Sequence, residues 1–259
     1  MKVLIPMAGH SRRFFLAGYK DPKQFIYING KPMIHHVCSM FSEKDEFILI
    51  CNQEHLKNSN YKAILNALPY KIRIVPIAPH ESGPLYSCLQ ADDLFKSDDP
   101  VIISYCDFFL EWNYKQFLQC AAESDGCISV FKGFHPASFG NTLYCYIQAD
   151  ENNHLTRLRE KQCFTDNRHQ EWASSGIYYI DCWDQFYKYA MQVLQEDKKV
   201  ANEYYTSLIY PEMLEDKKTI SIHPASKFIC WGTPEDLEEY LFWEKYFQNK
   251  KLNKGISVD

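Results

Sequence analysis

The sequence predicts one α/β domain built on a mixed, mostly parallel sheet flanked by helices. Over about the first 105 residues, short apolar runs alternate with segments of helical period. The apolar residues of those runs are continuous rather than alternating, as strands buried on both faces require. The 259 residues suffice for one large domain or two small ones, and no Pro-, Gly- or Ser-rich linker, internal repeat or low-complexity segment divides them.

In order, Val3–Ile5, Glu46–Cys51, Ile72–Ile77 and Val101–Tyr105 read as buried strands. Pro32–Phe41, Glu54–Ala67 and Pro84–Phe95 read as the intervening helices, the last with Leu85, Leu89 and Asp92–Leu94 spaced to put one stripe on a sheet. The pattern then changes. Gly126–Lys132, Thr142–Ala149, Leu155–Arg159 and Ser174–Asp181 are strand-like with few helices between them. Helical period returns at Trp183–Gln195, Glu203–Leu214 and Glu235–Phe247. The second half therefore extends the first sheet. Residues 1–248 form the domain, and Asn249–Asp259, with Lys250, Lys251 and Lys254, is expected to be a frayed, solvated end.

Composition narrows the function classes. A net charge of −5 argues against a nucleic-acid-binding protein, which needs a dense basic face to displace phosphate counterions. An aromatic content of 15% excludes a disordered chain. Ten cysteines include no C-x-x-C pair, and several lie inside apolar runs such as Ile48–Cys51, so they read as reduced, buried thiols of a cytoplasmic protein. The histidines show no metal-ligand spacing. The first apolar run, Val3–Ala8, stops at Gly9, His10 and two arginines, too short for an export signal. No later run nears the ~18 residues of a membrane span.

The most informative segment follows the first strand: Met7-Ala8-Gly9-His10-Ser11-Arg12-Arg13-Phe14, then Lys20-Asp21-Pro22-Lys23. In an open parallel sheet, ligands bind beyond the carboxyl ends of the strands, where this loop begins. Gly9 permits close backbone approach, and Arg12, Arg13, Lys20 and Lys23 concentrate cationic donors suited to phosphate oxygens. Pro22 fixes the backbone before Lys23. Neither G-x-G-x-x-G nor G-x-x-x-x-G-K-[ST] is present.

This segment resembles the signature of the sugar-phosphate nucleotidyltransferases, A-G-x-G-[ST]-R-[FM] followed by P-K, with Ala8, Gly9, Arg13, Phe14, Pro22 and Lys23 matching. Ser11 stands at the second glycine and Arg12 at the small hydroxyl residue. The resemblance covers about residues 1–240 and implies a single-domain Rossmann-like, glycosyltransferase-A-like fold. It implies contacts from Arg13 and Lys23 to the nucleotide phosphates, with Ala8, Gly9, Ser11 and Gly83 lining the nucleotide site. Glu81-Ser82-Gly83-Pro84 also reads as a plain helix start.

The strand Ile102–Cys106 ends in Asp107, matching the family's metal-binding aspartate and implying Mg²⁺; a helix cap is the alternative reading. Glu160-Lys161 resembles the family's E-K element, which meets the acceptor phosphate and sugar. Ala173-Ser174-Ser175-Gly176-Ile177-Tyr178 resembles the strand lining the acceptor pocket. Phe228-Ile229-Cys230-Trp231-Gly232-Thr233-Pro234-Glu235-Asp236 resembles its D-x-G-T-P-x-D segment, with Cys230 where a second metal-binding aspartate often stands. Thiols are poor Mg²⁺ ligands, so the metal rests on Asp107 and phosphates, or Asp236 or Glu203 approaches. Thr233–Asp236 is also a sound helix start.

The resemblance implies an enzyme joining a nucleoside triphosphate to a phosphorylated small molecule, a sugar phosphate or, with CTP, a non-sugar phosphate, and releasing pyrophosphate. Ile102–Trp112 and Ala173–Tyr179 resemble the branch accompanying capsule and surface-polysaccharide biosynthesis. Two alternatives stand. A glycosyltransferase of related fold would consume a nucleotide sugar and calls for a D-x-D pair, which Asp107-Phe108-Phe109 lacks. A non-catalytic nucleotide-binding member would tolerate Ser11, Arg12 and Cys230. Base and acceptor are unreadable from the sequence.

Overall fold

The computed structural model describes residues 1–133 and 143–253, with the side chains of 250–253 left aside. The first half runs β1 (Lys2–Met7), α1 (Arg12–Leu16), the short β2 (Tyr27–Ile28) and β3 (Lys31–Pro32), α2 (Met33–Cys38), β4 (Glu46–Asn52), α3 (Ser59–Asn66), β5 (Lys71–Ile77), α4 (Pro84–Leu89) and β6 (Val101–Ser104). The second half adds β7 (Phe108–Glu111), α5 (Tyr114–Ala121), β8 (Gly126–Phe131), β9 (Cys145–Ala149), β10 (Leu155–Glu160), β11 (Trp172–Ile180), α6 (Trp183–Gln195), α7 (Ile209–Glu215), β12 (Ile220–Pro224), β13 (Lys227–Cys230) and α8 (Pro234–Asn253).

One nine-stranded sheet organises the chain, in the order β10-β9-β11-β6-β1-β4-β5, with β8 paired to β11 and β12. Its centre is parallel: β1 pairs β4 on one side and β6 on the other, and β4 pairs β5. β11 then enters antiparallel to β6. The α/β expectation holds. The chain moves outward from β1 to β4 and β5, then crosses back to place β6 on the opposite side of β1. That reversal opens a crevice between the carboxyl ends of β1 and β6.

Burial on both faces is explicit in the core. Val3, Ile5, Phe47, Leu49 and Ile102 pack on one face with Ile34, Val37 and Phe117, while Leu4, Ile48, Ile50 and Ile103 pack on the other with Leu85, Trp183 and Phe186. A third cluster of Phe14, Ile26, Ile28, Met33, Trp231 and Leu237 holds α8 against the loop after β1. The aromatic excess fills these cores: Trp183, Trp231, Tyr146, Tyr178, Tyr189 and Tyr210 are among the largest fully buried side chains.

Several boundaries differ from the expectation. β5 is an edge strand with only Ile77 fully buried, because no strand lies beyond it. The predicted Glu54–Ala67 helix breaks into a 3₁₀ turn (His55–Lys57) and α3, where the Asn58 side chain accepts from the Asn60 N–H and restarts the helix. The Pro84–Phe95 segment likewise divides into α4 and a 3₁₀ turn at Asp92–Leu94. The Glu203–Leu214 helix starts only at Ile209, after a 3₁₀ turn at Thr206–Leu208. α5, β7, β12 and β13 were not expected as elements. Thr142 lies outside the described residues, as do 254–259, and α8 continues to Asn253 past the expected end of the domain.

Candidate active site

Lys23 and Asp107 meet across the crevice. Lys23 opens a 3₁₀ turn (Lys23–Phe25) after the loop that leaves β1, and Pro22 before it is buried in extended conformation. Asp107 follows β6. The Lys23 Nζ donates to Asp107 Oδ2 at 2.7 Å, and the side chains keep only 23% and 20% of their exposure. Burial works against both charges. The Asp107 carboxylate nevertheless holds the Lys23 ammonium above its ordinary pKa. In return Lys23, with smaller contributions from Arg13 and Lys161, holds Asp107 below the usual carboxylate value. Three of the cations expected at the site therefore act on one carboxylate.

The loop carrying Lys23 is shaped by Ser11, which stands in the left-handed region at φ 52°. That is the conformation glycine supplies most cheaply, which accounts for the glycine of the family pattern at this position. Ser11 Oγ also accepts the Lys23 N–H at 3.1 Å, tying the start of the loop to its end. Ala8 is buried, while Gly9 is exposed with open space where a Cβ would stand. Arg13 is exposed on the first turn of α1. Arg12 instead pairs with Glu81, both largely solvated, linking this loop to the one after β5.

Gly83 has a φ of 91° because the segment after it needs the space. A Cβ there would lie 2.7 Å from the Tyr204 backbone nitrogen, and Leu85 N–H and Tyr204 N–H exchange bonds with Tyr204 and Ser82 carbonyls at 3.0 and 2.9 Å. The turn reading of Gly83 is thus accounted for by packing.

Gly176 sits in an irregularity of β11 at φ 94°, where a Cβ would press on Phe108 and Tyr105 at 3.1 and 3.2 Å. Its carbonyl accepts the Tyr105 N–H at 3.0 Å, so β11 sets the position of the segment ending in Asp107.

Glu160 and Lys161 end β10. The Glu160 side chain is 4% exposed, lies 3.9 Å from Lys161 Nζ and accepts the Ser207 hydroxyl at 2.5 Å; burial raises its pKa. Lys161 stands over the Tyr205 ring at 5.2 Å and donates to the Leu143 carbonyl at 2.7 Å. Tyr105 is half-buried, and its hydroxyl accepts the Thr206 N–H at 3.3 Å. Tyr105, Tyr205 and Ser207 escaped the sequence reading. Only the aromatic excess and the nearness of Tyr105 to Asp107 in the chain pointed to any of them.

Beside Asp107, Trp231 N–H donates to its carbonyl at 2.8 Å, and a Cβ on Gly232 would stand 3.2 Å from Asp107 Oδ2. Cys230 Sγ lies 3.4 Å from Asp236 Oδ2, and burial raises the pKa of both groups. Thr233 Oγ1 accepts the Asp236 N–H at 3.1 Å, starting α8 as expected. Among the described residues no three His, Cys, Asp or Glu side chains are grouped to hold a metal. The donor set is the Asp107 carboxylate, whose pKa its cations lower, beside a thiol and an aspartate whose pKa values burial raises. That fits Mg²⁺, which takes one or two carboxylates and completes its shell with water and phosphate oxygens.

Three histidines also converge, one from each loop following β1, β4 and β5. Burial lowers the pKa of His55 and His80, and His10 lowers both further. Ser82 N–H donates to His80 Nδ1 at 3.1 Å, which assigns the ring proton to Nε2, 2.9 Å from Ser87 Oγ. His55 Nδ1 lies 3.4 Å from Gln24 Nε2, which donates to the Met7 carbonyl. No spacing rule finds this group, because its members are about 25–45 residues apart.

A parallel sheet with a strand-order reversal, and a Lys–Asp pair at that reversal, define an α/β protein whose charged groups stand where such sheets bind ligands. Residues 3–170 match the MobA-like NTP transferase domain, and the chain belongs to that family; it is a nucleotidyltransferase. Solved structures share the fold. A nucleoside-diphosphate-sugar pyrophosphorylase from Vibrio cholerae RC9 aligns with TM-score 0.77 and 19% identity over 92% of this chain and 99% of its own. An inositol-1-phosphate CTP transferase from T. maritima aligns with TM-score 0.67 and 14% identity over 99% and 98%. HddC from Yersinia pseudotuberculosis aligns with TM-score 0.64 and 17% identity over 92% and 96%. No curated protein matches the chain in sequence. No helix among the described residues is long and apolar enough to cross a membrane.

Proposed function

We propose that this nucleotidyltransferase joins a nucleoside triphosphate to a phosphorylated small molecule, a sugar phosphate or, with CTP, a non-sugar phosphate. A phosphate oxygen of the acceptor attacks the α-phosphorus in line. The bond from that phosphorus to the bridging oxygen breaks, and pyrophosphate leaves with the electron pair. The observation that carries this reading is the Lys23–Asp107 pair at 2.7 Å across the strand-order reversal.

Lys23 leaves Asp107 for the α-phosphoryl oxygens as charge builds on them, and Arg13, exposed beside it, meets the departing pyrophosphate. Asp107 would hold Mg²⁺, which when bound supplies charge neutralisation shared with donor phosphates. Lys161 orients the acceptor phosphate, and buried Glu160 takes an acceptor hydroxyl or cationic group. Gly176 keeps the acceptor side open. Ala8, Gly9, Ser11 and Gly83 bound the triphosphate, with His10, His55 and His80 around the base. The resemblance of Ile102–Trp112 to capsule-branch enzymes supports a product used in surface-polysaccharide assembly, made in the cytoplasm, where triphosphates are abundant.

The test is a pyrophosphate-release screen of CTP, UTP, dTTP and GTP against a panel of phosphorylated metabolites with Mg²⁺. One pair releasing pyrophosphate and yielding a nucleotide-linked product is the expected result. Triphosphate binding without release for any acceptor would overturn catalysis, and release of a nucleoside diphosphate from a nucleotide sugar would make the chain a glycosyltransferase.

A further inference from the structure

Two of the ten cysteines meet beneath the end of a helix. Cys120 lies in the last turn of α5 and Cys127 in β8, and Cys127 Sγ donates to Cys120 Sγ at 3.9 Å. A disulfide bond is about 2.05 Å long, so the sulfurs need approach each other by only about 2 Å.

The two thiols are not equivalent. Cys120 is half-buried and open to small reagents, whereas Cys127 is fully buried in the core cluster that holds Phe117 and Ala121. The hydrogen bond from Cys127 holds the Cys120 thiol below the ordinary cysteine pKa, against desolvation and Glu123, and with help from the Ser221 hydroxyl and His154. Ser221 is itself fixed there, accepting from Ser124 Oγ at 2.8 Å and bridging to His154 through the backbone. Burial raises the pKa of Cys127. One thiol is thus suited to attack and the other to resolve.

We propose that Cys120 and Cys127 form an oxidisable dithiol, a site where the chain reduces a low-molecular-weight disulfide and gains an internal one. The Cys120 thiolate attacks one sulfur of the reagent, whose S–S bond breaks, and its other half leaves as a thiolate. Cys127 passes its proton to that thiolate and attacks Cys120 Sγ, displacing the second half of the reagent. Two protein thiols are oxidised, and one small disulfide is reduced to two thiols.

The pair stands apart from the crevice. Cys127 is level with Tyr179 of β11, which is level with Ile102 of β6, while Asp107 lies beyond the far end of β6. The dithiol chemistry is therefore independent of nucleotide transfer. Cys230, also half-buried, has the Asp236 carboxylate rather than a thiol at its sulfur, so it offers no such exchange.

The test is reaction of the full chain with dithiobis(nitrobenzoate), an aromatic disulfide whose leaving thiolate is coloured, followed by cleavage after Lys115 and Lys132 and mass spectrometry. Residues 116–132 carry both cysteines on one peptide. The fastest phase should release two thiolates per chain and leave that peptide lighter by two hydrogens, with no reagent attached; dithiothreitol should restore its mass. In Cys127→Ser the fast phase should release one thiolate and the reagent should stay on Cys120. In Cys120→Ser it should slow at least about tenfold. Circular dichroism checks the fold of both variants, and the peptide from the natural chain decides without them. A natural peptide that keeps the reagent, one that stays unmodified while other thiols react, or a fast phase that survives Cys120→Ser overturns the proposal.

Discussion

Lys23 and Asp107, 84 residues apart in the chain, meet at 2.7 Å in a crevice that the order of the strands creates. Neither side chain has a role in the hydrophobic clusters on the two faces of the sheet. Lys23→Ala should therefore leave the circular dichroism spectrum intact while lowering kcat by about 100- to 1,000-fold, the effect of removing one preorganised cation from a phosphoryl transition state. A loss confined to KM would assign Lys23 to ground-state binding alone.

Asp107→Asn keeps the shape of the carboxylate and removes its charge. A fall of about 100-fold in turnover is expected, together with a rise in the Mg²⁺ concentration needed for half-maximal rate. A Mg²⁺ titration superimposable on that of the natural enzyme would move the ion elsewhere.

Glu160 gives a pH prediction opposite in sign to that of Asp107. The depressed Asp107 contributes stability above the ordinary carboxylate pKa and loses it as pH falls through its own lower value. Raised Lys23 contributes below the ordinary lysine pKa and loses it as pH rises through its higher value, so the pair is intact between about pH 4 and 10. Glu160 has a raised pKa from burial, so its contribution is present at acid pH and lost as pH rises. Glu160→Gln should raise the melting temperature at pH 8 and leave it nearly unchanged at pH 4, while impairing acceptor use. Equal shifts at both pH values would show that the carboxylate is not strained by burial.

Two glycines of the nucleotide side separate packing from binding. Gly83→Ala meets the Tyr204 backbone and an unfavourable φ together, and should cost about 2–4 kcal/mol, lowering Tm by about 5–15 °C. Gly9→Ala enters open space and should stay within about 0.5 kcal/mol of the natural chain, its effect appearing instead as a raised KM for the triphosphate. Thermal melts beside KM measurements distinguish the two.

The parallel half of the fold was legible because each of its central strands carries an unbroken apolar run, Val3–Met7, Phe47–Cys51 and Val101–Ile103, and both faces are covered by local helices. β12 was not, because its five residues gain their meaning from parallel pairing with β8, about 90 residues earlier in the chain. β13 hid inside a motif and exists as a strand only by pairing with β7. At the site, Lys23 and Asp107 stood out because charged residues at strand ends are chemically conspicuous. Tyr205 and Ser207 did not, since tertiary contacts, among them the docking of residues 203–204 onto Gly83 and the Thr206–Tyr105 bond, bring them toward Glu160 and Lys161.

Ser11 has a consequence for substrate capture. Its left-handed backbone and its hydroxyl bond to the Lys23 amide fix the first loop when the chain folds. In the proposed reaction a triphosphate would then meet a loop whose conformational entropy has already been surrendered, and binding need not order it. Such a receptor accepts its ligand by displacement of one internal partner, Asp107, rather than by coupled folding, so capture can proceed at the pace of diffusion and its temperature dependence can remain shallow.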